Sequence, residues 1–563
     1  MKTIKTPAII KAGSIGLLLS STPLWALQYT SDDLSLRLNT DVGFGTVVRT
    51  EESDPDLIGI ANGGNAYSVN SDDGTQNFDR GDFGLAALRV DSRLHVDYKG
   101  VGLTARFYGR YDPIYDTDEP LQAGRPALPQ ETQDRLGLNG DIEELYISYD
   151  FDVDPQTLSV SVGRQVLNWG EVLTIPGGIN FDAFDVARLR VPGASVSEAK
   201  RANGLVRVGL DFTDNVTFDL FYQYEWRATL PDAKGSYFST NDWVVPGGDF
   251  AMLGFGLTAE GAAGTTLQRA PDNSPQDNGQ LGINVKWYVE ELNDTEFGFI
   301  AANYHSRVPY GSGFAFVTTP DTGQYFADYP EDIRLFGLTM ATTIGDWSVG
   351  AEWAYRPNLP LQVDEVELFY EGLNFPNQIE GFVGNGNYVQ GWRRHQVSQA
   401  SVSLLKSWGP ENWFNADSVV LLLEAAANRV HDLPSQDVLR YEGPATYRKG
   451  PPDLAGRSPG LQDGGWATDF SWGYRAIIRG EYNNALGNWN LNPRLQWFHD
   501  VDGVTPGNGG AFVEGRQQAS LIANFESPGE LEIELGYTAY FGGGDANLLG
   551  DRDHVSLAVE YSF

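Results

Sequence analysis

The final ten residues, His554–Phe563, read HVSLAVEYSF. Val555, Leu557, Val559, Tyr561 and Phe563 fall on one face of a strand, and Ser556, Ala558, Glu560 and Ser562 on the other. A chain terminus ordinarily frays. Strict alternation carried to a terminal aromatic predicts instead a strand that is paired to its last residue.

The same period-2 pattern recurs outward from this end. Leu531, Ile533, Leu535 and Tyr537 oppose Glu532, Glu534 and Thr538; Leu34, Leu36, Leu38, Val42 and Phe44 oppose Ser35, Arg37, Asn39 and Asp41. About eighteen such segments start near residues 34, 85, 101, 142, 157, 204, 215, 281, 295, 333, 346, 395, 417, 470, 488, 516, 531 and 553. Segments 295–305, 333–343 and 395–407 alternate poorly, which leaves sixteen strands open as a count. Short connections (99–100, 152–156, 214, 290–294, 344–345) alternate with long ones (50–84, 112–141, 169–203, 227–280, 306–332). That layout predicts an all-β fold: a transmembrane antiparallel β-barrel with short periplasmic turns and long extracellular loops. A soluble β-sandwich would alternate too. The barrel is preferred because charge sits in mid-strand on one face while aromatics end the other, and because closure removes the sheet edges that lipid cannot solvate. The last strand then closes against the first, near Leu34, and Tyr561 and Phe563 resemble the C-terminal signal read by barrel-assembly machinery.

The other end agrees. Lys2, Lys5 and Lys11 precede the short apolar run AGSIGLLLS, then Pro23 and Ala26, the pattern of a secretory signal peptide over residues 1–26. Residues 27–563 then form one barrel, located in the cell outer membrane of a Gram-negative bacterium. There is no cysteine and there are only six histidines, so thiol chemistry and a His-based metal site are not expected. A formal charge of −36 argues against nucleic acid. No nucleophile elbow or Ser/His/acid set is evident, so no enzyme is expected, and no cofactor. Acidic loop stretches such as EESDPD (51–56) and SDDGTQNFDRGD (71–82) lack EF-hand spacing and read as solvated surface, with divalent bridging to lipopolysaccharide.

Charged residues on the inward face are the candidate lumen groups: Arg89, Arg93, Arg106, Arg110, Arg475, Arg479 and Arg494, with Glu352 and Glu424. A charge at the lipid midplane costs ~2–4 kcal/mol, which sets their direction. Where strands rise into loops, Tyr108/Arg110, Trp226/Arg227, Tyr304/Arg307 and Tyr355/Arg356 precede prolines, and read as an aromatic girdle with arginines at lipid phosphate or the pore mouth. The most unusual segment is VGRQVLNWGEVLTIPGGINFDAF, Val162–Phe184. Continuing the strand phase would aim Arg164 at lipid, so a bulge near Gly163 is expected to turn it inward, toward Glu171. Gln165, Asn168, Trp169 and Glu171 then join a loop, 169–203, folded into the lumen as a constriction or as a structural latch.

At GRQVLNWGE (163–171) the sequence resembles the family known as domain of unknown function 1302, proteobacterial outer-membrane proteins. NSDDGTQNFDRGD (70–82), YHSRVPYGSG (304–313), AEWAYRPNLPLQV (351–363) and GPENW (409–413) look like further family segments. The resemblance implies an outer-membrane component handling an amphipathic or hydrophobic molecule. It also implies partnership with an exporter of the resistance-nodulation-division type and a periplasmic lipoprotein-carrier-like protein. It carries over no catalytic residue. The expected function is passage or trafficking of a hydrophobic or amphipathic small molecule or lipid. The alternatives are a general porin for polar solutes and a non-conducting structural or assembly partner of an envelope transport system.

Overall fold

The computed structural model describes residues 27–451, 456, 458, 460–507 and 510–563. The expected signal peptide lies outside the described residues. Eighteen antiparallel strands close into one barrel. In chain order they are β1 Leu34–Arg49, β2 Phe83–Tyr98, β3 Val101–Tyr111, β4 Leu138–Val153, β5 Gln156–Gln165, β6 Asn203–Thr213, β7 Val216–Gln223, β8 Gln280–Val289 and β9 Thr295–Tyr304. The ring continues with β10 Ile333–Ile344, β11 Trp347–Gln362, β12 Trp392–Trp408, β13 Ser418–Val430, β14 Phe470–Leu486, β15 Trp489–Asp502, β16 Gln517–Glu526, β17 Leu531–Phe541 and β18 His554–Ser562. The three weakly alternating segments are all strands, so the count is eighteen.

Alternation has the expected sense. Phe107, Ile142, Leu145, Val162, Leu220, Phe299, Leu338, Leu495, Leu521 and Tyr537 are exposed on the outer face, while Arg89, Arg106, Glu352 and Glu424 are buried inside. So continuous an apolar belt would aggregate in water; lipid is its solvent. Among the described residues no helix is long and apolar enough to cross a membrane. One of the two-residue turns shows why the short connections suffice. Lys99 (φ 54°) and Gly100 (φ 82°) both take positive φ, as a two-residue turn of this hand requires.

The seam refines the expected closure. β18 pairs with the upper part of β1, from Asp41↔Ser562 to Arg49↔His554, and Phe563 exchanges backbone hydrogen bonds with Thr40 (2.7 and 2.9 Å). Below it, the short strand Leu27–Thr30 pairs with Ser35–Leu38 on the same edge. Tyr561 lies on the lipid face with its ring 5.8 Å from that of Phe563.

Above the barrel the long loops build a cap. A five-stranded sheet (Phe250–Met252, Thr266–Arg269, Gln324–Asp328, Tyr310–Phe314, Tyr388–Val389) and a helix, Glu365–Gly372, form part of it. Phe78, Tyr115, Leu128, Ala233 and Tyr237 make an apolar core between the loops 50–82, 112–137 and 224–279 and the barrel rim.

Two expectations at the rim are corrected. Tyr108 and Tyr304 do not face the membrane interface. Tyr108 is 1% exposed beneath the Arg188 guanidinium, and Tyr304 stacks on Phe181 inside the barrel. Arg110, Arg227, Arg307 and Arg356 are likewise buried and bonded to protein groups (Asp112, Glu143, the Gln223 amide oxygen and the Gly177 carbonyl) rather than aimed at phosphate. The rim is roofed by its own cap, so these groups find protein partners before lipid. β11 continues to Gln362 through an irregularity between Arg356 and Leu359.

Candidate functional site: the luminal loop and its two anchors

The 37-position connection 166–202 between β5 and β6 is tied to inward-facing side chains of the barrel wall. Its first half begins at Trp169, whose indole N–H donates to Asp219 on β7 (2.7 Å) and whose ring lies against Phe221. Two wall carboxylates then hold the backbone. Glu352 on β11 accepts from the N–H of Glu171 (2.9 Å) and of Ile179 (3.2 Å). Glu424 on β13 accepts from Leu173 (2.9 Å) and Thr174 (2.8 Å), and from the Thr174 hydroxyl. Arg356 donates to the carbonyls of Gly177 (2.8 Å) and Gly178 (2.6 Å), and Gln399 to that of Pro176 (3.0 Å).

The glycines explain themselves here. A Cβ at Gly170 or Gly178 would run into the Glu352 carboxylate. Each glycine precedes a residue whose N–H that carboxylate accepts. Only bare backbone can come so close. An apolar cluster of Leu167, Trp169, Ile179, Phe221, Ile300, Tyr304 and Leu335 fills the space between this half and the wall.

The second half is pinned to the opposite wall by guanidinium groups. Arg89 on β2, 1% exposed, meets Glu198 (2.6 Å) and the Gly193 carbonyl (2.7 Å) from the loop, and Glu560 on β18. Arg106 on β3 holds Asp91 in a fork and donates to the Ser197 carbonyl (2.7 Å). From the loop, Arg188 reaches Glu143 on β4 (2.6 Å). Ser195 and Glu198 cap a short helix, Val196–Ala199, reciprocally, which fixes Glu198 for Arg89. Strands β3 and β12 lie nine apart in a ring of eighteen, so the loop spans the lumen from wall to wall.

One side of the lumen stays open. A cavity of about 340 Å³ lies between Gly193–Ser195 and the wall β14–β18, toward the short-turn end. Arg479 and Arg494, directly opposite each other, line one flank, and Glu526, Glu532, Glu534 and Glu560 the other. Arg494 reaches Glu534 at 3.1 Å.

The remaining sequence candidates divide. Gln165 points inward and accepts from the Ser161 hydroxyl (2.7 Å). Arg93 is half exposed, 3.4 Å from Glu144, and Arg110 bonds Asp112 (3.1 Å). Arg475 lies over the Phe498 ring near Asp500. Asn168 is exposed rather than built into the constriction. Arg164 is the clear correction. β5 runs through Gly163 (φ 138°) without a register shift, and Arg164 sits opposite Leu145 of the lipid face. Directly opposed side chains share a face, so Arg164 points outward. It clasps Glu225, with Asp141 nearby, and not Glu171. The extra residue lies one strand away, at Glu143, between the pairs Arg106↔Glu144 and Phe107↔Ile142. That bulge is what turns both Glu143 and Glu144 inward.

In the extracellular cap, two apolar pockets of about 40 and 90 Å³ share Pro320, Phe369 and Leu373. The first is walled by Trp243, Leu267 and Tyr325, the second by Met252, Phe255 and Tyr370. Neither was anticipated, because their walls come from loops far apart in sequence.

Similar barrels are known. OccAB3 of Acinetobacter baumannii is 10% identical, with 94% of this chain and 99% of that chain covered and a TM-score of 0.42. A BenF-like porin from Pseudomonas fluorescens Pf-5 is 10% identical, with 94% and 98% covered and a TM-score of 0.41. Comparison with proteins of curated function gives no match. The family model described as "Protein of unknown function (DUF1302)" matches residues 9–563, and the chain belongs to that family.

Proposed function

We propose that the protein is a gated outer-membrane channel for an amphipathic or hydrophobic small molecule, with the loop 166–202 as its gate. The observation that carries this reading is the pair of adjoining apolar pockets in the extracellular cap, above a lumen barred by a tethered loop. Such pockets favour a ligand with an apolar portion. Their volumes fall below the ~150 Å³ that holds a benzene ring, so anything larger requires the shared side chain of Phe369 to swing aside. The charged cavity below would then receive the polar portion.

Mass spectrometry of small molecules retained after mild detergent extraction tests the reading. A bound apolar or amphipathic compound that disappears in Leu373→Asp, which places a charge where the two pockets adjoin, supports it. Absence of any such compound, with the same purification from a strain fed hydrophobic growth substrates, would sink it. The facing rows Arg479/Arg494 and Glu526/Glu532/Glu534 favour a second reading, a channel for polar solutes, because opposed charges orient a dipolar solute in transit. Large stable openings in planar bilayers, with an ion selectivity that shifts in Arg494→Ala, would support that alternative.

A further inference from the structure

The acidic stretch 71–82 acquires a meaning that its spacing alone did not give. Asp72 and Asp73 come from the loop 50–82, and Asp242 from the loop 224–279. One carboxylate oxygen of each lies within 4.8 Å of the others. All three residues are buried, at 0, 4 and 2% exposure. We propose that this triad binds a hard divalent cation, calcium or magnesium, that clips the two loops together over the barrel mouth.

An independent observation points to a ligand. Oδ1 of Asp72 and Oδ1 of Asp242 have no hydrogen-bond partner, although both residues are buried. Their second oxygens are engaged. Asp72 Oδ2 accepts from the Gly59 N–H (2.8 Å) and the Asn62 amide (2.9 Å). Asp242 Oδ2 accepts from the Asp73 N–H (3.2 Å). Each carboxylate is thus oriented by one oxygen while the other is left bare, as the outer hydrogen bonds of metal sites do for their ligands. A buried, bare carboxylate oxygen is otherwise costly.

Charge gives a second argument. Glu260 stands beside the triad, which makes four carboxylates. Arg125 and Lys234 supply two cations, at Asp73. Two negative charges remain, the charge of one divalent ion. The donors are all oxygen, which selects a hard cation over zinc or copper. Oxygens within 4.8 Å of one another fit around a calcium ion whose ligands stand ~2.3–2.6 Å away.

The test uses the full chain in detergent, stripped with EDTA, and terbium as the probe. Trp243, next to Asp242, is a sensitiser within range. The expected result is saturable tryptophan-excited terbium emission that calcium or magnesium displaces. Asp242→Asn should weaken it at least tenfold, and Asp545→Asn, an exposed carboxylate elsewhere in the cap, should leave it unchanged. Asp242→Asn removes a buried repulsion, and heat-modifiable gel migration checks that it folds. Emission that does not saturate on the wild-type chain, or that survives equally in Asp242→Asn, overturns the proposal. The wild-type titration decides even if the variant does not fold.

Discussion

The two anchors of the luminal loop hold the same segment by opposite means. On the β11–β13 wall, carboxylates accept backbone N–H groups of residues 171–179. On the β2–β3 wall, arginines meet backbone carbonyls and the Glu198 side chain. Apart from the Thr174 hydroxyl, the first anchor reads backbone, and so asks little of the loop beyond glycines where the chain must approach closely. The second rests on a buried ion pair, so losing one member strands the others. The difference teaches which end is built to let go. Several separate charge-assisted hydrogen bonds can break one at a time, whereas the Arg89 cluster fails as a unit.

That contrast can be broken most directly at Arg89. Arg89→Ala strands Glu198 and Glu560 without their cation, and removing one partner of a buried pair costs about 3–5 kcal/mol. The expected outcome is a large fall in the heat-modification temperature, together with proteolysis within 185–200. A wild-type midpoint would show that the second anchor is not the rigid one. A smaller effect is expected at Glu352→Gln. A hydrogen bond to a charged group is worth about 1.5–3 kcal/mol, and the amide keeps one acceptor oxygen. Here bilayer conductance should rise while the barrel melts nearly as before; unchanged conductance means that the first anchor does not gate. Gly178→Val sharpens the same point without touching a charge. Its side chain would displace the Glu352 carboxylate, and conductance should rise as in Glu352→Gln. The smallest effect belongs to Arg164→Ala. Arg164 is more than a third exposed in its pair with Glu225, and exposed pairs are worth ~0–1 kcal/mol. Transport per folded molecule should not change, and a clear gain in conductance would return Arg164 to the gate.

Most of the barrel was legible because a strand writes its facing into every second residue. Leu531–Tyr537 and Val555–Tyr561 needed no partner to be assigned a side. The inward direction of Arg89, Arg106, Glu352 and Glu424 followed from the cost of charge in lipid. The same rule misled at Arg164. That cost falls to ~0–1 kcal/mol near the interface, Arg164 is the last strand residue but one, and Glu225 neutralises it. The sequence could not name the tethers of the loop. Glu352 and Glu424 lie far along the chain from Glu171 and Leu173, and nothing local marks the match. The bulge at Glu143 showed only as a phase slip, since Ile142 and Leu145, both on the lipid face, stand three residues apart, and no glycine marks it.

The seam has a consequence for the order of folding. β1 must wait for the last residues of the chain before its upper edge can pair, since Arg49 stands opposite His554. Contacts between such distant parts of a chain form late, because loop closure must precede them. The strand Leu27–Thr30 faces no such delay. It turns back through four residues onto Ser35–Leu38 and is the most local pairing β1 has. It therefore works as a starter on a zip. It occupies the lower edge early, sets which residues remain unpaired, and leaves a stretch beginning at Thr40 for β18 and Phe563 to complete.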